Sequence, residues 1–126
     1  LSYMGFGGQG KQVRDLLHPD DLFELLQKQK DQPECWTGEV YNAGGGLAGS
    51  TSLVEYTQLC AETTGRTIEV GSVAQTRAVD IPYYVTDNTK TNTTFGWTPQ
   101  KSVRKIVFDI HAWLAENHEL VRTVFI

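Results

Sequence analysis

Gly10-Lys11-Gln12-Val13-Arg14-Asp15-Leu16-Leu17-His18-Pro19-Asp20-Asp21-Leu22 runs from an extended segment straight into a helix. Val13, Leu16 and Leu17 return from a turn that Gly5, Gly7, Gly8 and Gly10 permit, with Tyr3, Met4 and Phe6 on the outgoing arm. Residues 2–18 therefore read as an extended hairpin. His18-Pro19 ends it, and Pro19 suits the first position of a helix. Asp20 and Asp21 fall at the positive end of that helix's dipole. Leu22, Phe23, Leu25 and Leu26 form its apolar stripe. Lys28 and Lys30 sit at the other end, and Pro33 blocks continuation.

Working outward, residues 38–43 read as a short strand that enters Gly44-Gly45-Gly46. Ser52-Leu53-Val54-Glu55 is a capping box, in which the hydroxyl accepts from the Glu55 amide and the carboxylate reaches back to the Ser52 amide. The helix it starts turns Tyr56, Leu59 and Cys60 inward and stops at Gly65, a residue suited to a left-handed cap. Residues 67–70 and 83–85 read as strands. Asp87 caps a short helix ending near Gly96-Trp97, although its threonines are poor helix formers. After Pro99, Ser102 caps a last helix in which Val103, Ile106, Val107, Ile110, Trp113 and Leu114 recur with helical period. Strands alternating with helices imply α/β construction, yet there are too few strands for a complete doubly wound sheet. Residues 1–126 therefore form one α/β (α+β) region, and an opening strand at Leu1 fits a piece of a longer polypeptide.

Composition narrows the function. A net charge of -4 argues against general nucleic-acid binding, which relies on a basic surface. No apolar run approaches the roughly 20 residues of a membrane span, and residues 120–126 are far too few. Cys35 and Cys60 lack metal-ligand spacing and read as reduced thiols of a cytoplasmic protein. Asn92-Thr93-Thr94 matches a glycosylation sequon, a chance match in that setting.

The glycine-rich stretches fail as phosphate loops. Gly44-Gly45-Gly46 has no Walker lysine, and several residues separate it from the Ser52 cap; no helix follows Gly5 to Gly10. His111 and His118 lie two turns apart on the last helix, too far to chelate a metal together. His18 reads as a strand-end residue, not a general base. No serine lies in a nucleophile elbow. What remains is a pair of arginine-centred segments, one around Arg14 and Asp15, the other running from Arg77 to Asp80. A guanidinium is permanently charged and grips two phosphate oxygens at once, and a neighbouring carboxylate suits sugar hydroxyls. The pair fits a diphosphate-sugar ligand; the plainer alternative is two surface ion pairs of little energetic consequence.

Taken in order, five segments resemble the C-terminal, substrate-binding part of the extended Rossmann-type short-chain dehydrogenases/reductases acting on nucleotide-activated sugars. They are the opening quotation, Glu39-Val40-Tyr41-Asn42-Ala43-Gly44-Gly45, the helix start at 52–59, Arg77-Ala78-Val79-Asp80 with Asp87-Asn88-Thr89-Lys90, and Phe95-Gly96-Trp97-Thr98-Pro99. The likeness spans residues 5–117. It implies an NAD-dependent nucleotide-sugar epimerase or dehydratase, with Arg14 and Arg77 holding the diphosphate of a CDP- or UDP-linked sugar. It further implies that Asp80 accepts from a ribose hydroxyl and that Gln12 lines the same pocket. Val79 stands where many relatives carry glycine before the acid, and Leu16 where several carry an aromatic. The family's NAD fingerprint and Tyr-x-x-x-Lys pair lie upstream, and neither occurs here. Catalytic residues and the NAD-binding half are thus expected outside this chain, which alone should be inactive. A non-catalytic nucleotide-binding or interaction module of the same fold is the alternative. An unpartnered strand over 40–42 would also favour self-association or a homo-oligomer.

Overall fold

The computed structural model describes residues 1–125. Nine elements follow in chain order: β1 (Ser2–Met4), β2 (Val13–Asp15), α1 (Pro19–Asp31), β3 (Ser50–Ser52), α2 (Leu53–Thr64), β4 (Gly71–Val73), α3 (Thr89–Phe95), α4 (Val103–Glu116) and α5 (His118–Phe125). The composition of elements is the mixed helix-and-strand kind the sequence implies.

The expected hairpin over 2–18 does not form. A turn does sit at the glycines, where Phe6–Gly8 makes a tight 3₁₀ turn, but its two arms diverge into separate sheets. β1 pairs in parallel with β4, Ser2 opposite Gly71 and Met4 opposite Val73. β2 pairs antiparallel with β3, Val13 opposite Ser52 and Asp15 opposite Ser50, and on its other side Val13 bridges to Tyr83 in parallel. Strand pairing is a long-range choice, and here distant segments supply better ladder partners than the adjacent arm.

Two other strand expectations also shift. Residues 38–43 adopt no strand, and Val40 is exposed; Lys90 holds this segment instead, its Nζ 3.0 Å from the Val40 carbonyl and 4.6 Å from the Tyr41 ring centre. Without a neighbouring ladder the backbone groups of 38–43 have no strand partner to exchange hydrogen bonds with. The second strand lies at Gly71–Val73, not at 67–70, and residues 83–85 contribute only the Tyr83 bridge.

The helix ends follow local rules closely. His18 caps α1, its Nδ1 accepting from the Asp20 amide at 3.0 Å, with Pro19 in the first turn. Its Nε2 lies 3.2 Å from Asp109 Oδ2, which ties α1 to α4 and gives the ring a structural task. The Ser52–Glu55 capping box is complete, and Gly65 closes α2 in the left-handed conformation. Asp87 accepts from the Thr89 amide at 2.9 Å ahead of α3, whose cap position is Asn88, and Gly96 ends it. Ser102 accepts from the Lys105 amide at the start of α4. The last helix does not carry both His111 and His118 as expected: α4 ends at Glu116 with Asn117 as its cap, and His118 opens a separate helix, α5; Ile126, the end of the apolar 120–126 stretch, lies outside the described residues.

Trp97 sits at the centre of the core, fully buried against Leu25 of α1 and Phe95 of α3, with Leu17, Cys35 and Tyr41 packed around them. Tyr41 meets Phe95 edge to face, ring centres 5.0 Å apart. The Trp97 Nε1–H donates to the Asp21 carbonyl at 2.8 Å, and the buried Asp21 carboxylate accepts from the Lys101 amide at 2.9 Å. The expected stripe on α1 is therefore corrected: Asp21 and Leu25, one turn apart, face inward, while Leu22, Phe23 and Leu26 are exposed. On α4 only Ile106 and Val107 of the periodic set are buried, and Ile110, Trp113 and Leu114 are exposed. The α2 helix, with Tyr56, Leu59 and Cys60 half-buried, packs against α4.

Burial sorts the stability effects. Trp97→Ala is expected to destabilise the chain by about 3–5 kcal/mol, since it removes a buried ring and leaves a cavity. Phe23→Ser should change stability by less than about 0.5 kcal/mol, because its ring is already in water. Chemical denaturation of both variants checks the pair; equal losses would mean the core has been misplaced.

Candidate functional site

A strand turns alternate side chains to opposite faces, and around β2 that alternation divides two tasks. Gln12 and Arg14 face a cavity of about 750 Å³, which Arg77 and Asp80 also line. A volume of this order suits a small organic ligand. Asp15, on the other face, points away into the fold.

Arg14 is braced from three sides. Its Nη1 donates to the Val13 carbonyl at 2.7 Å, and its Nη2 to the Ile81 carbonyl at 2.8 Å and to Asp80 Oδ1 at 3.4 Å. Those contacts aim the guanidinium while leaving N–H donors free for a ligand. Arg14 and Asp80 are both partly exposed, so their ion pair by itself stabilises little; its consequence is orientation. Arg77 and Asp80 belong to one turn, closed by the Asp80 amide donating to the Arg77 carbonyl at 3.0 Å. That turn sets the exposed Arg77 on the rim. Val79 is tolerated there because its side chain projects into solvent and its φ is negative, Phe6 alone among the described non-glycine residues having a positive one.

Gln12 is buried to 4% exposure, and its Nε2 donates to the Met4 carbonyl. Gly5 lies beside it with φ at 81°, and a Cβ there would come within 2.9 Å of Asp80 Oδ2 and 3.4 Å of Gln12 Nε2. The missing side chain keeps the floor of the cavity open. The structure thus brings all four sequence-predicted residues, Gln12, Arg14, Arg77 and Asp80, to one cleft.

Sequence reasoning missed how Asp15 works. Its Oδ2 accepts from the Gly46 amide at 2.9 Å and the Thr86 amide at 3.2 Å, joining β2, the glycine loop and the 83–88 segment at one atom. Burial raises its pKa, but the Thr86 hydroxyl and the two amides outweigh that and hold it below the usual carboxylate value. Asn88 likewise takes the Gly44 amide at 3.1 Å. Gly45 approaches so closely that a Cβ would fall 2.0 Å from the Leu16 carbonyl oxygen. The signal was the strand's own alternation, which sends residue 15 opposite to residue 14.

These contacts also decide what the glycines are for. The amides at Gly44 and Gly46 that a pyrophosphate would need are occupied by side chains, and β2, not a helix, follows the glycines at 5–10. Neither glycine segment therefore offers a pyrophosphate a helix N-terminus with free amides. The described residues hold no cluster of three or more metal-type ligands, and no described helix is long and apolar enough to cross a membrane.

No family model matches the chain. Its sequence is 28% identical to CDP-paratose 2-epimerase of Salmonella typhi over 106 residues, 84% of this chain and 31% of that protein. In structure it is similar to the epimerase Mth375 of Methanothermobacter thermautotrophicus, with a TM-score of 0.77 and 25% identity over 94% of this chain and 34% of the other. It also matches UDP-glucuronic acid 4-epimerase of Bacillus cereus, solved with UDP-glucuronic acid and NAD, with a TM-score of 0.71 and 19% identity over 87% of this chain and 35% of that one. The chain spans about a third of the length of these relatives. Its fold is that of the C-terminal part of Rossmann-type short-chain dehydrogenase/reductase epimerases.

Asp15 carries a pH signature. A carboxylate whose folded pKa is depressed contributes stability above its unfolded pKa and loses it as pH falls through the folded one. Asp15→Ala is expected to cost roughly 0.5–1.5 kcal/mol at pH 7, the net loss of its hydrogen bonds to two partly buried amides, and to flatten the loss of stability below about pH 4. Denaturation midpoints between pH 7 and pH 3 check this; parallel curves for the two proteins would remove Asp15 from the account.

Proposed function

We propose that this chain is the substrate-binding part of an NAD-dependent nucleotide-sugar epimerase or dehydratase, and that its cleft anchors the nucleotide diphosphate. The observation that carries the reading is the meeting of Arg14 and Arg77, 63 residues apart in sequence (77 − 14), on one cavity with Asp80 and Gln12. Arg14 and Arg77 hold the diphosphate by charge-assisted hydrogen bonds, Arg14 from a braced position and Arg77 from the rim. Asp80 accepts from a ribose hydroxyl. The sugar then extends beyond the cleft, and binding energy from the non-reacting nucleotide orients it for reaction. The relatives' names support a CDP- or UDP-linked ligand.

NAD supplies transient oxidation in proteins of this kind, and its binding residues and the proton-transferring groups belong to a part of the protein beyond this chain. This region's task is to bind and orient, and without that part it is inactive. Reduced Cys35 and Cys60 and a cytoplasmic setting go with the reading.

In the full-length protein, Arg77→Ala is expected to weaken binding of a CDP- or UDP-sugar about 10- to 100-fold, in line with a lost charge-assisted contact. Calorimetric titration measures it, and unchanged affinity would count against the assignment. The expected 40–42 strand edge is absent, and the exposed Phe23, Leu26, Trp36 and Trp113 instead support self-association of the isolated chain. Light scattering at rising concentration should then give a mass above one chain; a monomer throughout contradicts this.

A further inference from the structure

Phe6 is the one described non-glycine residue with a positive φ, at 47°. A bulky side chain in that region is a genuine outlier, and such strain persists only where surrounding contacts hold it. Here the holding contacts come from successive amides of one turn. Gly5 N–H donates to the Val73 carbonyl at 2.8 Å, Phe6 N–H to Thr76 Oγ1 at 2.8 Å, and Gly7 N–H to the Ala74 carbonyl at 3.4 Å. These bonds carry the contact between β1 and β4 past its last register pair, Met4 opposite Val73. Gly8 then closes the turn, so near β4 that a Cβ would fall 2.1 Å from Ser72 Oγ. The 5–8 turn is therefore a clasp on residues 73–76, and its Phe6 bond falls just before Arg77.

That bond bears on the cleft. Thr76 and Arg77 both line it, and residues 74–79 are exposed, so no apolar packing fixes their course. Downstream the segment is next secured at Asp80 and Ile81, which Arg14 engages. Arg77 thus sits between two polar fixings, the Thr76 hydroxyl before it and the Arg14 guanidinium after it. Phe6 gives the first fixing a rigid donor. A glycine would adopt the same φ without cost, but it would also leave the turn free to move.

Resting on the nucleotide-sugar reading above, we propose that Thr76 is a positioning residue: its hydroxyl, accepting from the strained Phe6 amide, sets Arg77 to reach the diphosphate. A charge-assisted bond to phosphate is short and directional, so a rim arginine whose backbone wanders loses part of it. A backbone fixed beforehand leaves less ordering to be done on binding. Thr76 acts through Arg77 and not by touching the ligand.

The test is a double-mutant cycle on the full-length protein, titrated with a CDP-linked and a UDP-linked sugar. Thr76→Val keeps the shape and removes the acceptor, and should weaken binding about threefold to tenfold, the range of one lost hydrogen bond. Thr76→Ser keeps the hydroxyl and should bind as wild type does. In an Arg77→Ala background Thr76→Val should cost nothing further, because the residue it positions is gone. Wild-type affinity in Thr76→Val, with Arg77→Ala still weak, overturns the inference and leaves the nucleotide site standing. So does an equal loss in both backgrounds, which marks a direct contact of Thr76 with the ligand, and so does a Thr76→Ser protein as weak as Thr76→Val. Unchanged affinity in Arg77→Ala, or no binding of either sugar by wild type, overturns the nucleotide reading and this inference with it. Should Thr76→Val fail to fold, Thr76→Ala removes the same acceptor from an exposed position and takes its place in the cycle.

Discussion

The alternation of one three-residue strand governs the molecule. β2 is pinned on one edge by the antiparallel ladder to β3 and on the other by the bridge to Tyr83. Once that register is set, Gln12 and Arg14 must face the cleft and Asp15 must face the fold. A slip by one residue would exchange them, sending a carboxylate into the anion site and a guanidinium against the glycine loop. Asp15 guards against the slip, because its carboxylate has two backbone amides to satisfy only in the observed register. The ligand-facing and structure-holding halves of Arg14-Asp15 are thus one device.

Around that device the structure spends little on apolar burial. The core centred on Trp97 is small, and Leu22, Phe23, Leu26, Ile110 and Trp113 stay in water. Polar staples do much of the connecting: Asp21 between α1 and the 97–101 segment, His18 between α1 and α4, Asn88 across to Gly44, and Lys90 over Tyr41. Each joins elements distant in sequence, and each leaves the cleft side free.

What the sequence made legible was local. A cap acts within one helical turn, so His18-Pro19, Ser52 with Glu55, Gly65, Gly96 and Ser102 could be read directly, and the helices began or ended there. Strand partners could not be read, because the glycines at 5–10 permit a turn without dictating that its arms pair. The apolar stripe of α1 misled for a related reason. Periodicity reports which face is apolar, not whether another layer covers it, and here the buried position one turn from Leu25 is taken by Asp21. At the site, Arg14, Arg77 and Asp80 were visible as chemistry before they were visible as geometry. The hold of Thr76 on the Phe6 amide and the amides held by Asp15 exist only in three dimensions.

The central claim is that two arginines far apart in the chain close on one pyrophosphate. A crystal structure of the full-length protein with a CDP- or UDP-linked sugar tests it most directly. The account predicts diphosphate oxygens within about 3 Å of both the Arg14 and the Arg77 guanidinium groups, the usual reach of charge-assisted hydrogen bonds. A diphosphate bound outside this cleft, or touching neither arginine, would contradict it.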